Sequence, residues 1–151
     1  MASIDDTDRR ILNRIQSDFP ITESPFAAIG DELGLSENDV IARVRRLRKN
    51  GIIRRIGGNF SPEKLGYVST LCAGRVPPEK LEHFAEVVNS YPGVTHNYLR
   101  ANTFNVWFTF IAPSRESIAE SLAEISEKTG ISDILNLPAT DVYKIRAHFN
   151  L

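Results

Sequence analysis

The run Ser36-Glu37-Asn38-Asp39-Val40-Ile41-Ala42-Arg43-Val44-Arg45-Arg46-Leu47-Arg48-Lys49-Asn50-Gly51 carries a helix start, a buried stripe and a helix stop. Ser36 is an N-cap residue, Asp39 three positions on makes a partial capping box, and Gly51 closes the C-terminus. At 100° per residue, Val40, Ile41, Val44 and Leu47 cover an arc of roughly 120° and face inward, which turns Arg45, Arg46 and Lys49 outward. Upstream, Asp5 caps a helix carrying Ile11, Leu12 and Ile15, with Asp8 in its first turn opposing the dipole. A loop through Phe19 and Pro20 leads to a shorter helix that has Ser24 as cap, Pro25 at its first position and Gly34 at its end. Downstream, Ile52 to Ile56, Gly57-Gly58 and Asn59-Phe60 read as a hairpin. Residues 1–60 are therefore expected to form a winged helix-turn-helix.

Beyond a connector at 61–66 the hydrophobic period changes to two. Tyr67 to Val76 alternates as a strand, and Pro77-Pro78 opens a helix carrying Leu81, Phe84, Val88 and Tyr91. Val94 to Arg100 and Phe104 to Ala112 are strands joined through Ala101-Asn102-Thr103. Ser114 caps a helix with Ile118, Leu122 and Ile125 that Gly130 ends, and Asp141 to Ala147 reads as a final strand. The order strand, helix, strand, strand, helix, strand over residues 67–151 predicts a ferredoxin-like domain whose helices cover one face of a four-stranded antiparallel sheet. The fold class is α+β.

Composition narrows the functional classes. The chain has 151 residues, a formal net charge of −1, 42% hydrophobic and 25% charged residues, as a globular protein does. Its one cysteine, Cys72, excludes an internal disulfide. The longest apolar stretch, around Val106 to Ala112, is far short of the roughly 20 residues a membrane span needs. The polar, acidic start from Met1 to Arg10 is not a secretory signal. A cytoplasmic protein without a membrane partner is expected. Arg43, Arg45, Arg46, Arg48, Lys49, Arg54 and Arg55 concentrate seven of the 18 basic residues in one run with no acid among them, a surface for an anion. Glu37 and Asp39 occupy the first turn that a recognition helix sends toward phosphates, so DNA binding is not expected.

The sheet's uncovered face holds the chemistry. Phe104, Val106, Phe108 and Phe110 share one face of their strand and belong under the helices. Val94, His96, Tyr98 and Arg100 share a face of the preceding strand. Burying a histidine and an arginine under helices without partners is costly. His96, Tyr98 and Arg100 are therefore expected beside Asn105 and Trp107 on the open face. Such a surface suits a flat anionic ligand, since rings take the plane and Arg takes carboxylates. A dimer interface enriches the same residue types, and both roles can coexist.

Two features resemble the leucine-responsive and asparagine-synthesis (Lrp/AsnC) regulators: Arg43-Val44-Arg45-Arg46-Leu47 with Gly51-Ile52-Ile53, and the connector Ser61-Pro62-Glu63-Lys64-Leu65-Gly66. Where such regulators carry Gly-x-Tyr-Asp, this chain has Asn102-Thr103-Phe104-Asn105. The strings Gly93-Val94-Thr95-His96-Asn97-Tyr98-Leu99-Arg100, Phe104-Asn105-Val106-Trp107-Phe108-Thr109 and Ile53-Arg54-Arg55-Ile56-Gly57 resemble the sirohaem decarboxylases. That resemblance implies loss of carbon dioxide from the C12 and C18 acetates of sirohaem, giving 12,18-didecarboxysirohaem in alternative haem biosynthesis. It also implies a paralogous subunit in a heterodimer, and no cofactor beyond the iron carried by the substrate. His96 would be the general acid and Tyr98 its orienting or relaying partner. Arg54, Arg55 and Arg100 would hold carboxylates, with Asn97, Asn105, Trp107 and His148 around the substrate. Either His96 or His148 can instead serve as an axial ligand to the substrate iron. The competing readings are a DNA-binding regulator that responds to a small ligand and a haem-binding carrier without chemistry.

Overall fold

The computed structural model describes residues 4–58, 60–144 and 148–151. The chain forms two compact units, Met1–Gly58 with Lys144–Leu151, and Asn59–Tyr143.

In the first unit, α1 (Asp6–Ile15), α2 (Pro25–Leu33) and α3 (Glu37–Lys49) enclose a core of Ile11, Leu12, Ile29, Val40, Val44, Leu47 and Ile53. The capping signals act where the sequence places them. Asp5 and Asp8 form a reciprocal capping box on α1, Ser36 Oγ accepts from Asp39 N–H on α3, and Gly34 ends α2 at φ +71°. Asp8 does more than oppose a dipole. It is fully buried, and its carboxylate takes Arg43 Nη1 at 2.8 Å, Arg46 Nη2 and the Asp5 backbone N–H at 3.1 Å. Two members of the basic run are thus turned onto α1.

The expected wing hairpin does not form: among the described residues from 51 to 60 there is no strand. Gly57 lacks the left-handed φ that a two-residue hairpin turn demands. Ile53 is buried, whereas Ile52 and Ile56 are exposed, so little apolar packing holds a ribbon together.

The second unit is a four-stranded antiparallel sheet in the order β2-β3-β1-β4, built from β1 (Val68–Gly74), β2 (Val94–Leu99), β3 (Val106–Ala112) and β4 (Ile134–Leu137). α4 (Leu81–Asn89) and α5 (Arg115–Thr129) cover one face. Phe84 and Val88 from α4 and Ile118, Leu122 and Ile125 from α5 pack on Cys72, Val106, Phe108 and Phe110. Burial pushes the Cys72 thiol up to about 12, so it acts as a small apolar core group. The exposed His83 is 3.3 Å from the Lys128 carbonyl, and Lys80 Nζ donates to the Thr129 carbonyl at 3.2 Å. Both serve the C-terminal end of α5.

Among the described residues the last strand is Ile134–Leu137, and the described part of the expected strand Asp141–Ala147, residues 141–144, is not a strand. The short connection after Gly130 delivers Ile134–Leu137 directly to β1, where Leu137 pairs with Leu71 and Leu135 with Ala73. Those pairings occupy the free edge of β1. Val142 and Tyr143 are exposed, at 60% and 96%, and residues 145–147 lie outside the described residues. The segment 148–151, expected with the sheet, hydrogen-bonds to the α1 region instead.

Two predictions follow from backbone and charge. A Cβ on Gly93 would stand 2.2 Å from the Ile111 carbonyl oxygen, whose residue's N–H bonds to the Gly93 carbonyl at 2.8 Å. Gly93→Ala should therefore destabilise the sheet unit by about 2 kcal/mol in urea denaturation, as overpacking does. The Arg43 guanidinium bonded to Asp5 holds that carboxyl below the ordinary carboxylate range. Its folded value lies below its unfolded one, so this stabilisation is complete at neutral pH and is lost as pH falls through the carboxylate range. Asp5→Asn should flatten the acid limb of a stability-against-pH curve.

Candidate functional site

The site is built by an irregularity in β2. Val94 pairs with Phe110, but the next pair is His96 with Thr109, so Thr95 is an extra residue. Regular alternation would keep Val94 and His96 on one face. The bulge separates them, sending Val94 to the helix-covered core and His96 to the open face. Tyr98 follows on the open face opposite Trp107, and Asn97 pairs with Phe108 on the helix side.

On the open face the His96 and Tyr98 rings stack with centroids 5.8 Å apart and 12° between planes. Tyr98 Oη lies 3.1 Å from His96 Nδ1. The Arg100 guanidinium stands 5.9 Å from the centroids of both Tyr98 and Trp107, at the outer reach of a cation–π contact. Trp107 is held by its own indole, which donates to the Phe104 carbonyl at 2.6 Å. A hydroxyl, an imidazole, a guanidinium and an indole thus share one platform, as expected.

Other expected members stand elsewhere. Asn105 spends its carboxamide on structure: Oδ1 accepts from Val76 N–H at 2.9 Å and Nδ2 donates to the Val76 carbonyl at 2.8 Å, tying the end of β1 to β3. Asn97 Nδ2 donates to Asn89 Oδ1 at 3.0 Å, in a hollow of about 420 Å³ that Leu81, Ala85 and Leu99 also line on the helix side. His148 Nδ1 lies 3.1 Å from Ser17 Oγ, in the first unit. Arg54 and Arg55 are exposed residues of that same unit.

The true β4 adds what the sequence reading lacked. Leu135 and Leu137 line up with Leu71 and Ala73 on the open face, and Leu71, Leu135 and Leu137 are 42%, 37% and 41% exposed. An apolar floor therefore adjoins the aromatic and cationic cluster. Among the described residues no three His, Cys, Asp or Glu side chains gather to hold a metal ion. The platform is one-sided. It can seat a flat ring, meet its carboxylates with Arg100 and move a proton through Tyr98 and His96.

Fold and platform together define a class, a helix-turn-helix unit joined to an AsnC-type ferredoxin-like domain. The AsnC-like ligand binding domain family matches residues 64–144, and the siroheme decarboxylase NirDL-like HTH domain matches residues 8–54. The chain is 53% identical to the siroheme decarboxylase alpha subunit of Oleidesulfovibrio alaskensis, over 98% of this chain and 90% of that one. Its identity to the alpha subunit of Desulfovibrio desulfuricans is 50%, over 100% and 87% of the two chains. The crystal structure of the siroheme decarboxylase NirDL in co-complex with an iron-uroporphyrin III analogue is 34% identical with a TM-score of 0.67. That match covers 94% of this chain and spans 48% of the other. The chain belongs to the sirohaem decarboxylase family.

Thr95 supplies the test of the site's construction. Deleting it removes the surplus residue while leaving Val94 inward and His96 outward. The cost should be no more than about 1 kcal/mol, roughly 4–8 °C in Tm. Deleting Asn97 restores regular pairing only by turning His96 to the helix-covered face, and should destabilise the sheet unit by more than the Thr95 deletion does.

Proposed function

We propose that this chain is a subunit of a sirohaem decarboxylase, releasing carbon dioxide from the C12 and C18 acetates of sirohaem to give 12,18-didecarboxysirohaem. The observation that carries this reading is the convergence of His96, Tyr98, Arg100 and Trp107 on the open face of the sheet. Identity of half or more to named alpha subunits over nearly the whole chain supports it independently.

Each decarboxylation converts a ring-bound CH2–COO⁻ group and one proton into a methyl group and carbon dioxide. The substrate's macrocycle accepts the electron pair as the C–C bond breaks. What this chain supplies is seating, a dry place and a proton. Trp107 and Tyr98 offer flat faces to the ring, and Arg100 binds a carboxylate that does not react. Gripping the reacting acetate would stabilise the ground state instead. That acetate is better placed over Leu71, Leu135 and Leu137, where loss of hydration favours dispersal of its charge. In its acid form, the imidazolium, His96 donates its Nδ1–H to the Tyr98 hydroxyl oxygen and gives its Nε2 proton to the nascent carbon, which leaves a neutral imidazole to be reprotonated from solvent. Iron enters as part of the substrate, and no further cofactor is required.

A one-sided platform leaves the far face of a bound ring uncovered, which favours a paralogous second subunit as partner. A role on duplex DNA has less support, because Glu37 and Asp39 start α3 and both Arg43 and Arg46 bond to Asp8. No described helix is long and apolar enough to cross a membrane, and the substrate is polar, which favours a cytoplasmic setting.

Anaerobic incubation of the chain and its paralogue with sirohaem, followed by mass spectrometry, tests the assignment. Loss of one and then two carbon dioxide units is expected. His96→Ala should slow that loss by about 10²- to 10⁴-fold while sirohaem binding persists. An unchanged substrate mass, or undiminished turnover by His96→Ala, contradicts it.

A further inference from the structure

The end of α1 grips another part of the chain in a way that depends on backbone alone. Asn13 lies on α1 and Gln16 is its C-cap residue, one turn apart. Gln16 Oε1 accepts from the Phe149 N–H at 2.9 Å, and Gln16 Nε2 donates to the Phe149 carbonyl at 2.8 Å. Asn13 repeats the pattern two residues on, accepting from the Leu151 N–H at 3.3 Å and donating to the Leu151 oxygen at 2.9 Å. The two carboxamides also bond to each other, Gln16 Nε2 to Asn13 Oδ1 at 3.1 Å. Ser17 adds its contact with His148.

In an extended chain the N–H and C=O of one residue point to the same side, and alternate residues repeat that side. A carboxamide carries the complementary acceptor and donor. Two of them, a helical turn apart, therefore imitate the edge of a neighbouring strand, the chemistry by which sheets recruit extended peptides. The side chains of 149 and 151 contribute little to the grip, since Phe149 is 66% and Leu151 43% exposed.

We propose that Asn13 and Gln16 form a backbone-reading clamp and that residues 148–151 of this same chain are its occupant, held as a strap. The chain leaves the helix-turn-helix unit after Gly58, builds the sheet unit and rejoins the first unit from Lys144. The clamp thus fastens residues 148–151 to the end of α1 within the first unit. Closing so long a loop costs only slightly more than closing a short one, so a handful of polar bonds suffices. The same exposed, polar character makes the strap easy to open.

Amide hydrogen exchange of the full ¹⁵N-labelled chain tests this at Phe149 and Leu151. In the native chain both amides should exchange at least about tenfold more slowly than in Asn13→Ala/Gln16→Ala. Neither clamp residue belongs to the buried cluster of its unit, and Gln16→Met, close in shape, serves the same comparison at Phe149 if the double variant loses helix. Phe149→Ala should keep the protection at both positions, because its backbone is what is read. Unchanged rates in the clamp variants overturn the proposal. So does equal loss in Phe149→Ala, which would mean that side-chain packing holds the segment. Protection that falls on tenfold dilution would assign the occupant to a second copy and overturn the strap.

Discussion

The platform exists because β2 has to satisfy two faces that its regular period cannot satisfy together. Val94 is needed in the core beside Phe110 and Tyr91, while His96 and Tyr98 cannot be buried there without partners. One surplus residue, Thr95, resolves the conflict. Gly93 fixes the spot, since its backbone approaches the Ile111 carbonyl more closely than any side chain would permit. Downstream of the bulge the register is regular, so Tyr98 faces Trp107 and Arg100 reaches both rings. The proposed chemistry thus rests on one unit of register in one edge strand.

Charge is handled differently in the two units. In the helix-turn-helix unit a fully buried carboxylate, Asp8, is bonded to Arg43 and Arg46, so part of a conspicuous basic run stabilises the helices themselves. In the sheet unit Arg100 has aromatic faces for neighbours, which leaves its guanidinium fork available to carboxylates. On the helix layer the hydrogen bond from the Tyr91 hydroxyl, and after it the Lys128 ammonium, hold the Glu124 carboxyl below its ordinary range. Glu124 and Lys128 stand on α5, and Tyr91 follows the C-terminal end of α4.

Much of this was legible from residues alone. Capping residues, the inward stripe of α3, the alternation of β3 and the open-face grouping of His96, Tyr98, Arg100 and Trp107 all follow from local rules. Three features escaped for physical reasons. The wing was read from Gly57-Gly58, but a glycine pair permits a hairpin turn without requiring it. Asp141 to Ala147 reads like a strand, yet Ile134–Leu137, close behind α5, pairs with β1 at the sheet edge. Asn97 and Asn105 occur in distinctive strings, but string membership does not reveal that one amide is tied to Asn89 and the other to Val76. The bulge itself had a faint signal in the demand that Val94 and His96 part company.

The most direct measurement is proton NMR of the chain titrated with the iron-free form of the substrate ring, whose ring current shifts nearby protons upfield. The account predicts marked shifts for the Trp107 indole N–H, the only indole resonance in the chain, and for the His96 ring protons, with His83 unmoved. Saturable binding that leaves Trp107 and His96 in place, while shifting the side-chain amide of Asn97 on the helix-covered side, would contradict it.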